Sequence, residues 1–155
     1  MYDPVGRLIE IENALVETRR NSYDLNGNRI KSIDPNANIT FYEFDELNHL
    51  TKVIDPLNNK TSYEYDSSEN LVKIKDALEN SVVYKYDRGS LVTKIIDKRG
   101  NAQEYEYDLA GNVTSIKAPD KTKSTFTYDN MNRVIKSIDS RGLEKNYMYD
   151  EMGNI

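Results

Sequence analysis

Tyr105-Glu106-Tyr107-Asp108-Leu109-Ala110-Gly111-Asn112-Val113-Thr114-Ser115-Ile116 carries the pattern that decides the fold of this chain. Two aromatic residues stand two apart, which puts both rings on one face of a strand. Asp108-x-x-Gly111 then reverses the chain. The carboxylate can accept amide hydrogens a few residues on, and the glycine takes a positive φ. The run Val113 to Ile116 is rich in β-branched residues and too short for a useful helix, so it reads as a returning strand. Its apolar residues lie three apart rather than two, which predicts a bulge or contacts on both faces. On the first strand, Gln103, Tyr105 and Tyr107 should share one face, with Glu104, Glu106 and Asp108 on the other.

The same unit is written along the whole chain. Tyr2-Asp3, Tyr23-Asp24, Phe44-Asp45, Tyr65-Asp66, Tyr86-Asp87, Tyr107-Asp108, Tyr128-Asp129 and Tyr149-Asp150 recur every 21 residues, with no insertion or deletion. A second aromatic precedes most of them: Tyr42, Tyr63, Tyr84, Tyr105, Phe126 and Tyr147. The 155 residues divide into seven full repeats over 2–148 and the start of an eighth over 149–155, a single array. Gly6, Gly27, Gly111 and Gly153 sit at the turn position that favours positive φ, where Asn48 and Asn132 are the next most tolerant substitutes. Glu69 and Ser90 fit that position less well. Gly89, one residue early, predicts a shifted turn in its repeat. A second connection begins at Asp34-Pro35 or Asp55-Pro56, with proline opening the turn, and closes near Asn38, Asn59, Asn80 or Asn101.

The expected fold class is all-β: tandem 21-residue β-hairpin repeats forming one long twisted antiparallel sheet. Equivalent tyrosines would recur every ~9.6 Å, two strands apart. A parallel β-solenoid is the rival, but the short Asp-x-x-Gly turn reverses the chain and favours hairpins. The hydrophobic fraction of 37% suits a sheet with one apolar face, each unit packing mainly on its neighbours. An open ribbon leaves unpaired strand edges, which predicts self-association.

Several functions are excluded or disfavoured. A net charge of −5 supplies no basic field for nucleic acid. No apolar run approaches the ~20 residues of a membrane helix, and Met1-Tyr2-Asp3-Pro4 does not begin a signal peptide. Cysteine is absent, so disulfides, thiolate metal sites and Cys nucleophiles are out. His49, the one histidine, stands where other repeats carry Asn28, Asn70 or Asn112, and is expected to be a surface turn residue. The Asp column supplies one carboxylate per repeat, too few for the 6–8 oxygens of calcium, so no metal or cofactor is expected. Glu104 and Glu106 share a strand face, but no cleft or apolar wall would split their pKa values. No catalytic residue is assigned, and the chain does not read as an enzyme.

Tyr-Asp-x-x-Gly-Arg-Leu at Tyr2 to Leu8, and Tyr-Asp-x-x-Gly-Asn at Tyr23 to Asn28 and Tyr107 to Asn112, resemble the YD repeats of the Rhs family. That family includes bacterial polymorphic toxins, wall-associated proteins, the C components of insecticidal Tc complexes and animal teneurins. The resemblance implies a segment of a β-spiral shell that encloses and delivers a C-terminal toxin, so a scaffold rather than a catalyst. It also implies a secreted or cell-surface, bacterial setting, with the remaining repeats and the toxin cargo of a longer parent protein as partners. Departures from the pattern are Phe44 for tyrosine, Arg29 at a usually aliphatic position, and Ala118-Pro119 where Asp-Pro is expected. Asp139-Ser140-Arg141-Gly142-Leu143 is similar to part of the family's cleavage element but falls in phase with the ordinary turn, and is read as one. Neither the autoproteolytic core nor the cargo is expected in this stretch. The alternative is a carbohydrate- or cell-wall-binding module that uses the Tyr ladder to stack on polysaccharide. Comparable wall-binding repeats are rich in Trp, which is absent here.

Overall fold

A computed structural model describes residues 1–13 and 18–155. Among them every regular element is a strand: β1 (Glu10–Glu12), β2 (Thr18–Tyr23), β3 (Arg29–Ile33), β4 (Ile39–Phe44), β5 (Leu50–Ile54), β6 (Lys60–Tyr65), β7 (Leu71–Lys75), β8 (Ser81–Tyr86), β9 (Val92–Ile96), β10 (Ala102–Tyr107), β11 (Val113–Lys117), β12 (Lys123–Tyr128), β13 (Val134–Ile138) and β14 (Glu144–Asn146). Two compact units divide the chain, one of residues 1–65 and 73–81, the other of residues 66–72 and 82–155. In the first, β1 to β6 follow one another in chain order, each antiparallel to the next. In the second, β8 to β14 do the same. The protein is all-β and antiparallel, and the parallel solenoid is ruled out. By the repeat arithmetic the second turn of the first repeat falls on 14–17, outside the described residues.

The turns are where sequence dictates structure most directly. Asp108 donates its amide to the Asn112 carbonyl at 3.0 Å, and its own carbonyl accepts the Gly111 amide at 3.1 Å. Its Oδ1 accepts the amides of Ala110 and Asn112, both at 2.9 Å, and its Oδ2 accepts the Asn112 side-chain amide at 3.0 Å. This is a three-residue hairpin loop whose last residue is left-handed. The second connection is the same device: Asp97 and Asn101 close the loop at 2.9 Å, with Gly100 at φ +82°. The two connections that the sequence presents as different are thus one motif, with Asp24, Asp34, Asp45 and Asp55 spaced alternately ten and eleven residues apart.

Three expectations about turns meet the structure here. Ser90 and Glu69 hold φ of 62° and 65°, so Gly89 does not shift its turn. Asp87 explains why: its Oδ1 takes the Gly89 and Leu91 amides at 2.8 and 3.0 Å, and its carbonyl takes Ser90. Those bonds fix the loop, and the left-handed residue tolerates a penalty of about 1–2 kcal/mol. Asp139 to Leu143 forms the ordinary turn, as expected. Ala118 lacks the carboxylate, yet its loop closes identically at 2.9 Å because Asp120 Oδ1 takes the Thr122 amide and hydroxyl.

The odd apolar spacing has its cause in a bulge. Tyr107 pairs with Val113, but Glu106 pairs with Ser115, leaving Thr114 without a partner. The extra residue lets Val113 and Ile116 fall on one face, opposite Tyr107 and Tyr105. The same slip recurs at Phe44 with Leu50, at Tyr86 with Val92 and at Tyr128 with Val134. Hairpins of the other series have none, as Ala102↔Ile96, Gln103↔Ile95 and Glu104↔Lys94 show.

One expectation needs correcting. The sheet is not greasy on one face alone. Ile33 pairs with Ile39, Phe41 with Ile54, and Val83 with Ile96, all on the face opposite the tyrosines. That second apolar strip lies toward the Asp-Pro turns, while Glu43 and Lys52 charge the same face toward the Tyr-Asp turns, and Glu104 with Lys117 replaces the apolar pair at the position of Phe41 and Ile54. Among the described residues no apolar side chain is fully buried, and Ser115 at 4% exposure is the only buried residue. These are single-layer units without an enclosed core.

Candidate functional site

The tyrosine column is the feature on which function turns, and its hydroxyls answer how it is used. Tyr107 donates its hydroxyl to the Val92 carbonyl at 2.7 Å. Tyr65 reaches Leu50, Tyr86 reaches Leu71, Tyr128 reaches Val113 and Tyr149 reaches Val134, at 2.8–3.1 Å, and Tyr23 reaches Leu8 at 3.0 Å. Each acceptor lies in the preceding repeat, and all but Leu8, which forms an isolated bridge with Tyr2, open its second strand. The backbone ladder between β5 and β6 ends at Lys52↔Ser62, and the Leu50 carbonyl beyond it takes the Tyr65 phenol instead. The tyrosine therefore completes the sheet's own bonding where the bulge interrupts it. Partial burial and nearby carboxylates raise the hydroxyl pKa of Tyr65, Tyr86, Tyr107 and Tyr128, so all four stay neutral donors. Phe44, the one substitute, has no hydroxyl to give.

A second column covers these rings. Arg7 lies over Tyr23 at 5.0 Å, and Arg133 over Tyr149 at 4.4 Å. His49 stacks on Tyr65 at 4.7 Å and approaches Asp45 Oδ2 at 3.1 Å through Nδ1. Its side chain is only 19% exposed, so the expectation of a plain surface histidine fails: the ring seals the tyrosine of the next repeat. Two of the asparagines at this position bridge repeats through polar bonds, Asn28 to Asn48 at 2.7 Å and Asn112 to Asn132 at 2.8 Å. The sequence held a signal for this column. Arg7, His49 and Arg133 each stand sixteen residues before a Tyr-Asp tyrosine.

The Asp column forms the turns. Asp3, Asp24, Asp45, Asp66, Asp108, Asp129 and Asp150 all have carboxyls held below their ordinary range. At Asp3, Asp24 and Asp45 desolvation pushes the other way, and hydrogen bonds from the loop amides and the following side chain outweigh it. At Asp108 and Asp150 the asparagine four residues on is the main cause. With both oxygens occupied by the loop, these carboxylates are turn formers. Gly6, Gly27, Gly111 and Gly153 take positive φ in those turns. No cluster of possible metal ligands occurs among the described residues.

Glu104 and Glu106 do face away from the tyrosines, but each is bound by lysine. Glu104 meets Lys94 at 2.8 Å and Lys117 at 2.9 Å, which lowers its pKa to about 2. Lys123 at 3.1 Å lowers that of Glu106. Both remain ionised at neutral pH, so neither is poised as a general acid. One feature escaped the sequence reading. The Tyr-Asp turn tips carry apolar side chains in full solvent, with Leu25 and Leu109 completely exposed and Val5, Leu47, Met131 and Met152 mostly so.

Repeats of one length, closed by one turn and locked tyrosine to carbonyl, define a repeat-built β-sheet wall. The family model for the teneurin YD-shell matches residues 55–155, and the chain belongs to that family. Among solved structures it is similar to the crystal structure of TcdB2-TccC3-Cdc42, with a TM-score of 0.68 at 16% identity, over 88% of this chain and 9% of that one. The Photorhabdus luminescens Tc holotoxin pore gives a TM-score of 0.70 at 18% identity, over 89% of this chain and 9% of that one. TcdB2-TccC3-TEV gives 0.67 at 18%, over 99% of this chain and 11% of that one. At such identities the likeness is one of fold. The chain spans about a tenth of the length of these structures. No curated protein matches it.

Proposed function

We propose that this chain is a non-catalytic wall segment of a shell that encloses the toxic C-terminal part of a longer, secreted bacterial protein. The observation that carries the reading is the tyrosine latch, which commits six tyrosines of the column to joining their repeat to the one before. A wall needs that continuity, whereas a sugar-stacking ladder needs the same hydroxyls and ring faces open to ligand. The partners are then the further repeats of the parent and its cargo. Open strand edges lead the isolated segment to self-associate. Limited proteolysis of the parent protein tests the proposal. A segment following the repeats should resist protease while the array is folded and become cleavable when the array is unfolded. Cleavage of that segment at the same rate in both states would overturn the reading.

A further inference from the structure

On the face opposite the tyrosines, Lys94 and Lys117 converge on one carboxylate, Glu104, from the two neighbouring strands at 2.8 and 2.9 Å. Two repeats earlier Lys52, Ser62 and Lys75 hold the same three positions. Lys52 pairs directly with Ser62, as Lys94 does with Glu104. The two lysines are thus kept, and the anion between them is replaced by a short neutral side chain. A third ammonium is added, because Lys60 stands where β10 has Ala102, on the same face as Ser62. The result is a cleft of about 350 Å³ lined by Lys52, Lys60, Ser62, Lys75, Asp76 and Glu79 among others, all in the first compact unit.

The carboxylates around this cleft leave most of its donors unfilled. Lys52 gives one N–H to Glu43 at 2.5 Å. Lys75 gives one to Glu79, whose side chain is 76% exposed at a turn tip. Lys60 makes no ion pair among the described residues. Asp76 spends Oδ1 on the Leu78 and Asn80 amides and Oδ2 on the Asn80 side chain, closing its own turn. Each ammonium carries three donors, and the Ser62 hydroxyl adds another.

We propose that this cleft binds a single phosphate group, free or as the monoester of a small molecule. A tetrahedral dianion can meet three ammonium groups and a hydroxyl at once, and such charge-assisted bonds are the strong ones. The exposed Lys75–Glu79 pair is worth little and yields to a stronger anion. A carboxylate from a partner protein would match the Lys94–Glu104–Lys117 arrangement, but it brings one charge where three cations meet and so fits worse. The chain's net charge of −5 disfavours a polyanion, which keeps the ligand small. None of the latched tyrosines takes part, and the site stands apart from the wall reading.

The test is a nuclear magnetic resonance titration at constant ionic strength with inorganic phosphate, methyl phosphate and acetate. Both phosphates should move the Lys60, Ser62 and Lys75 amide signals weakly but saturably, and acetate should not. Equal binding of the two supports free phosphate as the ligand, and tighter binding of the ester supports a phosphorylated small molecule. Ser62→Glu installs the carboxylate of the equivalent site, so it should fold with an unchanged or higher Tm and lose the binding. Lys60→Ala installs the residue of β10 and should weaken binding several-fold, while Glu79→Gln frees Lys75 and should tighten it several-fold. No saturable shift with either phosphate overturns the proposal, as does undiminished binding by Ser62→Glu. If acetate saturates the same residues as tightly as phosphate, the cleft is a docking point for carboxylates and the proposal fails.

Discussion

The β2–β3 and β10–β11 hairpins have the same register and almost nothing else in common. In β10–β11, Tyr107 faces Val113 and Tyr105 faces Ile116. In β2–β3 the corresponding pairs are Tyr23 with Arg29 and Asn21 with Ser32, yet the slip between the sixth and fifth positions is identical. Apolar cross-strand pairs therefore cannot be what sets the register. The common elements are the Asp loop and the Tyr-Asp tyrosine, and these must hold it. The β2–β3 hairpin carries the cost of its polar filling: Asn21 Oδ1 is buried without a hydrogen-bond partner. Arg29 compensates in part by lying over Tyr42 at 4.9 Å and donating to its hydroxyl at 3.3 Å.

The comparison breaks first at the turn. Asp24→Ala removes the carboxylate that takes the Asn28 amide and side chain, in the hairpin with least apolar support. Hydrogen exchange should show β2 and β3 losing protection, the largest effect of any single change considered. Asp108→Ala, where the ladder is apolar, should lower Tm by several degrees and keep β10–β11 protected. Equal loss of protection in the two variants would show that the apolar ladder adds no support once the loop is gone.

Smaller effects sharpen the same contrast. Tyr107→Phe strands the Val92 carbonyl and should cost about 1–2 kcal/mol in denaturant unfolding. Asn21→Tyr restores the aromatic that other repeats carry and removes a lone buried oxygen. It should add about 1 kcal/mol, and a loss would mean that Arg29 and Ser32 require the asparagine. Ser90→Gly relieves a left-handed serine and should gain about 0.5 kcal/mol once the entropy of glycine is set against it. A shift in turn position in that variant, seen as altered pairing at Leu91, would contradict the fixed loop.

The sequence made the repeat length, the hairpins, the Asp turns and the bulge legible, because each depends on local chemistry with a fixed spacing. Val113 and Ile116, three apart, call for a bulge or for contacts on both faces, and the bulge is the one that forms. The latch was hidden for a different reason: its acceptors are backbone carbonyls such as Val92, and every residue has one. Pairing of His49 with Tyr65 joins residues of different repeats, and its signal is only the sixteen-residue spacing that Arg7 and Arg133 share. The equivalence of the two turn series was masked by side chains. Proline at position 35 and glycine at position 111 look unlike, although they occupy different places in one loop.

The central claim is that tyrosine hydroxyls are structural donors, and a spectrophotometric titration of the phenols tests it most directly. Tyr65, Tyr86, Tyr107 and Tyr128 have pKa values raised above the usual 10.0, chiefly by desolvation. A group raised in the folded state lends stability that is complete below its unfolded pKa and is lost as pH climbs through the folded one. The account predicts that these phenols ionise late and together with unfolding, followed by circular dichroism. Simple titration of all twelve tyrosines near pH 10 with the sheet intact would contradict it.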